Sequence, residues 1–164
     1  MKTLIVYYSR TGNTRKLAEK IASALDAEIL QIHDEVDRTG LFGYLRSLKE
    51  ALSKKEAKIR LQSIDPSQFD VVIVGTPVWA SSMSSPVRAF LDDQAAKFNR
   101  VALFCTLGGN GGTAALRQMQ KICKKLPVAT MEVTQRNISS NAMDQSVQSF
   151  VSRIKAACEM AIAA

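Results

Sequence analysis

The sequence predicts an α/β fold: a doubly wound, five-stranded parallel sheet in the order 2-1-3-4-5, with helices on both faces. Three observations carry this expectation. Short β-rich runs alternate with stretches of helical spacing along the chain. Two of the runs, Val71 to Val74 and Val101 to Cys105, are continuously apolar, as strands covered on both faces must be. The polar, glycine- and serine-rich stretches follow strands one, three and four, where an open parallel sheet places its ligand crevice.

The elements follow in order. Thr3 to Tyr8 is the first strand, ending in polar residues. From Thr14 the spacing turns helical, with Leu17, Ala18, Ile21, Ala22 and Leu25 on one face. Ala27 to Ile32 is short and partly alternating, an edge strand. Between Asp34 and Pro66 the pattern supports one helix, Tyr44 to Lys54, with Leu45, Leu48 and Leu52 inward. After the third strand, Pro86 fits the first turn of a helix burying Val87, Phe90 and Leu91. The fourth strand precedes a helix whose buried side is expected to hold Leu116, Met119, Ile122, Cys123 and Leu126. Val128 to Val133 is the second edge strand. A last helix buries Val147, Phe150, Val151, Ile154 and Cys158. The 164 residues suit one domain spanning 1–164.

Composition narrows the function. No apolar run approaches the ~20 residues that span a bilayer, and Met1-Lys2-Thr3 leads straight into a strand, so a cytoplasmic location is expected without membrane insertion. Three cysteines, Cys105, Cys123 and Cys158, lack CxxC spacing and sit in apolar patterns. They read as buried thiols, not as a disulfide or zinc framework. The single His33 cannot build a multi-histidine metal site, and no metal is expected. The net charge of +7 attracts anions or acidic proteins. Aromatics are few and no basic recognition helix occurs, which argues against nucleic acid.

Three loops carry the chemistry. The first is Ser9-Arg10-Thr11-Gly12-Asn13-Thr14, between strand and helix. Hydroxyl and amide groups, a permissive glycine and a helix start make a favourable place for phosphate. An ordinary helix cap at Thr11 or Asn13 is the simpler alternative. GxxxxGK[ST] and GxGxxG are both absent here, which excludes a nucleoside-triphosphate loop and a dinucleotide fingerprint. The second loop, Gly75 to Pro86, contains Pro77, Val78, Trp79, Ala80, Ser81, Ser82 and Met83. The only tryptophan in a serine-rich loop suggests a stacking platform for a flat ligand, with core packing as the alternative. The third runs Thr106-Leu107-Gly108-Gly109-Asn110-Gly111-Gly112-Thr113. Four glycines in five positions are costly to order unless backbone must approach something closely.

These three stretches, in this order on one sheet edge, resemble the flavin loops of the flavodoxin family. The resemblance implies one non-covalently bound FMN. Its phosphate would sit on Ser9 to Thr14, Trp79 and its neighbours would cover one face of the isoalloxazine, and the backbone of 108–112 would bond the pyrimidine edge. Three features depart from that family's electron carriers. Those proteins are generally acidic, whereas this chain carries +7. They often place a Tyr in the third loop, where this chain has only Leu107 among small residues. They often have Gly after the Trp, at a peptide that turns over on flavin reduction. Here Ala80 and Ser81 stand, and a Cβ is expected to resist positive φ.

The departures leave two functions open: an electron carrier, or an NAD(P)H-dependent reductase of quinones or related acceptors reached through an uncovered flavin face. A ligand-binding module without a redox role is a third. The redox partner is expected to be acidic, docking on Arg46, Lys49, Lys54, Lys55, Lys58 and Arg60, or to be NAD(P)H itself; a solvated helix face is the equal alternative for those basic residues. No side chain is assigned as an acid–base catalyst. A phospho-acceptor receiver domain would need aspartates at the strand ends, where Tyr8-Ser9 and Gly75-Thr76 stand, and a Cys-x5-Arg phosphatase loop fails because Gly111 follows Cys105 at the required position.

Overall fold

Alternate residues of each central strand face opposite ways, and that period of two builds the molecule's two cores. Leu4, Val6, Val72, Val74, Val101 and Leu103 belong to one buried cluster. Ile5, Tyr7, Val71, Ile73, Ala102 and Phe104 belong to the other. The computed structural model describes residues 1–34, 59–60, 64–138 and 140–160. Its main strands are β1 (Thr3–Tyr7), β2 (Glu28–Gln31), β3 (Val71–Trp79), β4 (Val101–Leu107) and β5 (Thr130–Thr134). They pair parallel in the order β2-β1-β3-β4-β5, as expected. The sheet gains one further strand, the two residues Ser82–Met83, which pair antiparallel with the end of β3. Counted as a strand in its own right, it makes the order 2-1-3-5-6.

Helices α1 (Asn13–Leu25) and α4 (Asn141–Met160) cover the face of Ile5 and Phe104, through Leu17, Ile21, Val147, Phe150 and Ile154. Helices α2 (Ser85–Gln94) and α3 (Gly112–Cys123) cover the other, through Val87, Phe90, Leu91, Leu116 and Met119. Both connections out of β1 and β4 therefore place a helix N-terminus at the sheet's carboxyl edge. Pro86 falls in the first turn of α2, as expected.

Four expectations need correction or fall outside. The third strand does not stop at Val74: Gly75 to Trp79 continue it, and Thr106 and Leu107 continue β4. Proline argues against a central strand because it lacks an N–H. Here β1 ends opposite Gly75, and Pro77 lies on the last rung with β4, opposite Thr106. Leu126 is not on the buried side of α3. The helix ends at Cys123, Lys124 takes φ 52° at the C-cap, and Leu126 is 83% exposed. The helix expected over Tyr44 to Lys54, and Arg46, Lys49, Lys54, Lys55 and Lys58, lie outside the described residues. His33 is exposed, in a two-residue ladder with Arg60.

Among the described residues no helix is long and apolar enough to cross a membrane. All three cysteines are free and buried. Burial pushes the Cys105 thiol up to about 12, with Glu132 adding to it, and pushes Cys123 up to about 11. Thiols so far from ionising are poor nucleophiles.

Candidate functional site

A cleft of about 260 Å³ opens at the carboxyl edge of the sheet. It is lined by Arg10, Thr11, Asn13 and Thr14 of the first loop, Pro77, Val78 and Trp79 of β3, and Thr106, Leu107 and Gly108 of the third loop. Three segments from across the chain thus meet where the sequence places them. Gln135 and Ile138, in and just after a 3-10 turn beyond β5, also line it. Sequence reasoning missed both. The signal was their position after a fifth parallel strand, on the same edge as the other loops.

Ser9, Gly12, Ala80, Ser81, Ser82, Met83, Gly109, Asn110 and Gly111 do not line this cleft; those with described contacts support it from behind. Ser9 Oγ accepts the Gly12 N–H at 3.2 Å and holds the first turn. Gly12 stands at the N-cap of α1 with φ 89°, which only glycine adopts cheaply. Neither Thr11 nor Asn13 caps the helix: among the described residues no side chain bonds its first N–H groups, and no acidic residue stands in its first turn. The first N–H groups and the positive end of the dipole remain available to an anion in the cleft.

The start of α3 is different, although it also follows a strand and a left-handed glycine, Gly111 at φ 95°. Glu132 of β5 lies against it. Thr113 Oγ1 donates to Glu132 Oε1 at 2.8 Å, and a Cβ on Gly112 would meet Glu132 Oε2. The chain supplies its own carboxylate there. At α2, Ser84, Ser85 and Pro86 are buried and Pro86 brings no N–H. Of the starts of α1, α2 and α3, only that of α1 contributes lining residues to the cleft.

The first and third loops are tied by a buried hydrogen bond of 2.8 Å between Thr14 Oγ1 and Thr106 Oγ1. In the second loop, Thr76 Oγ1 donates to the Pro77 carbonyl at 2.9 Å and accepts the Ser84 N–H at 3.0 Å. Trp79 stands at the boundary of cleft and core. It lines the cleft, yet it is only 8% exposed and belongs to the core. Tyr8 meets it edge-on at 5.8 Å and 85°, and the Arg10 guanidinium lies 5.3 Å from its ring centroid. That geometry fixes the indole plane. Trp79 is the sole aromatic among the described lining residues, in keeping with a third loop without tyrosine.

The expectation that Ala80 resists positive φ is overturned. Ala80 has φ 48° and Ser81 φ 56°. They form the two-residue turn between the rungs Val78–Met83 and Trp79–Ser82. Two-residue turns match the twist of their strands as type I′, with both central residues left-handed, or as type II′, and here both residues are left-handed. For residues with a Cβ this costs ~1–2 kcal/mol each. The turn is made by its tertiary contacts, against local preference.

Arg10 is the only ionisable side chain among the described lining residues, and its guanidinium donates hydrogen bonds without accepting any. The described lining therefore offers an anion site, a flat apolar wall and hydroxyl and amide partners, with no carboxylate, histidine or cysteine among them.

A doubly wound sheet with a cleft of about 260 Å³ at its switch point defines the class of this protein. The family model described as flavodoxin matches residues 2–150, and the chain belongs to the flavodoxin family. Among solved structures it is similar to a flavoprotein in complex with FMN from Lactobacillus acidophilus NCFM. That match has 28% identity and a TM-score of 0.70, covering 80% of this chain and 92% of the other. It is also similar in fold to a flavoprotein from Bacteroides uniformis, at 21% identity and TM-score 0.76, covering 90% and 97%. A WrbA-like flavodoxin from Agrobacterium tumefaciens shares the fold at 14% identity and TM-score 0.63, covering 97% and 98%. Comparison with curated proteins finds no match.

Proposed function

We propose that the chain binds one FMN without a covalent link and transfers electrons through it. The observation that carries this reading is the chemistry of the cleft lining: a helix N-terminus without a side-chain cap, a fixed indole and, among the described lining residues, no carboxylate, histidine, lysine or cysteine. A site so built must take its reactivity from what it binds. The α1 start with Thr11, Asn13 and Thr14 would hold the phosphate. Pro77, Val78 and Trp79 would form the wall beside the ring system, and the Leu107-Gly108 backbone would approach its polar edge. FMN, when bound, supplies the redox chemistry. The residues present fit a single phosphate, because Glu132 already occupies the neighbouring start of α3. The flavoprotein from L. acidophilus, which binds FMN, supports the same reading.

A second reading has its own observation. The described residues lining or adjoining the mouth include two cations, Arg10 and Arg136, and one aromatic wall. Such a mouth favours an anionic nicotinamide cofactor, and hence an NAD(P)H-dependent reductase. The experiment is an anaerobic visible spectrum of the FMN-loaded protein before and after NADPH. Rapid bleaching of the flavin band makes it a reductase. An unchanged band, with reduction by a partner protein, makes it a carrier. Failure of FMN to bind removes both.

A further inference from the structure

The Ala80–Ser81 turn holds two successive residues in a conformation that neither prefers, so neighbouring groups must impose it. Two neighbours stand out. Gly111 packs directly on the turn: a Cβ there would lie 2.6 Å from Ser81 Cα and 2.5 Å from its Oγ. Gln118 reaches back from the second turn of α3. Its Nε2 donates to Ser82 Oγ at 3.2 Å and to the Ser81 carbonyl at 3.4 Å. Its Oε1 accepts from Arg88 Nη2 of α2 at 3.4 Å.

We infer that Gln118 is a positioning residue: its amide holds the Ala80–Ser81 turn left-handed and thereby fixes Pro77, Val78 and Trp79 as one wall of the cleft. An amide is the side chain that suits this place. It donates to the turn and accepts from Arg88 at once. A carboxylate accepts only, and lysine or arginine donates only. The link from turn to wall is covalent and short. Trp79 pairs with Ser82 and Val78 with Met83 across the turn, and Met83 is anchored in the core. Released, the turn would relax toward conformations its residues prefer, and only the fraction still left-handed would present the wall as the ligand needs it.

Arg88 makes the arrangement a relay between helices. It sits one turn into α2, and the N-cap of that helix is Ser84, whose N–H is bonded to Thr76. The second loop is thus held at its tip by Gln118 and at its base by Thr76. The consequence for the ligand rests on the FMN reading; the consequence for Trp79 does not.

The test uses the full chain and its single tryptophan. Acrylamide quenching of Trp79 emission is measured without ligand, and FMN is then titrated, for the wild type, Gln118→Leu and Gln118→Glu. Gln118 is half-buried on a helix surface, and equal cooperative unfolding curves check that each variant folds. Both variants are expected to expose Trp79 to quencher and to weaken FMN binding roughly fivefold, the scale of one net hydrogen bond. Ala80→Asn with Ser81→Gly, added to Gln118→Leu, is expected to restore both readouts, since that pair favours the left-handed turn by itself. Unchanged quenching and affinity in both variants would overturn the inference. So would a loss that the turn substitutions fail to restore, which would place the effect in general packing of α3. If the wild type does not bind FMN, the functional reading falls, and the quenching arm still decides the role of Gln118.

Discussion

Thr14 and Thr106 share a hydrogen bond of 2.8 Å, buried, between residues 92 apart in the chain. One opens α1 beside the candidate phosphate site, and the other ends the strand that leads into the glycine-rich loop. The bond joins two parts of one cleft at its floor. Replacing either hydroxyl leaves the other buried without a partner, which costs about 1–3 kcal/mol. Thr14→Val and Thr106→Val are each expected to lower stability by that amount in urea unfolding. The double variant should cost less than the sum, because no orphaned hydroxyl remains. Additive losses would show that the two hydroxyls act independently.

The glycines of the third loop divide by what stands around them. Gly108 and Gly109 have nothing within 4 Å of a added Cβ, whereas Gly111 is left-handed and faces Ser81 backbone. Gly111→Ala should destabilise by about 1–3 kcal/mol, from strain and overpacking together. Gly109→Ala should change stability by no more than about 0.5 kcal/mol. Thermal unfolding separates the two. Loss of FMN binding in a Gly108→Ala or Gly109→Ala protein of normal stability would then report close approach of the ligand to that backbone.

Gly75 serves the core. A Cβ there would come 2.0 Å from Cζ of Phe104 on the adjacent strand, in a fully buried face. The ring has no room to retreat, and Gly75→Ala should cost about 1–3 kcal/mol. Phe104→Leu in the same chain should recover part of that loss. If the single variant is as stable as the wild type, the interstrand packing is looser than described.

The turn offers a gain. Ala80 is exposed and left-handed, a position asparagine tolerates better. Ala80→Asn should raise stability by about 1 kcal/mol, read as a higher urea midpoint with unchanged slope. A fall would mean that the left-handed pair is not the solution conformation.

The buried thiols give stability a pH dependence. Burial raises Cys105 to about 12 and Cys123 to about 11 in the folded chain, above their ordinary value of 9.0. The folded state then holds protons that the unfolded chain releases. The stabilisation is complete below about pH 9 and is lost as pH rises toward about 11 to 12. Each thiol steepens the decline by about 1.4 kcal/mol per pH unit in that window. Cys105→Ala should flatten the pH profile of the unfolding free energy. An unaltered slope would mean that Cys105 ionises freely in the fold.

The sequence by itself determined the order of the five main strands, the two edge strands, the buried faces of α1, α2 and α4, and the three loops at the carboxyl edge. These follow from apolar period, composition and glycine placement, which are local properties that survive without a partner. Trp79 was legible as a cleft residue for the same reason, as the only large aromatic in a serine-rich stretch. Tertiary structure decided what local pattern cannot express. Pro77 reads as a strand breaker, and only the early end of β1 and the last rung on Thr106 make it a strand residue. Ala80 and Ser81 prefer negative φ, and the packing of Gly111 and the amide of Gln118 accompany the opposite choice. The starts of α1 and α3 look alike in sequence, each a glycine before a helix. Glu132, twenty residues after Gly112, makes them different by lying against only one. Each such outcome depends on the energy of two groups brought together by the sheet, and neither group carries it alone.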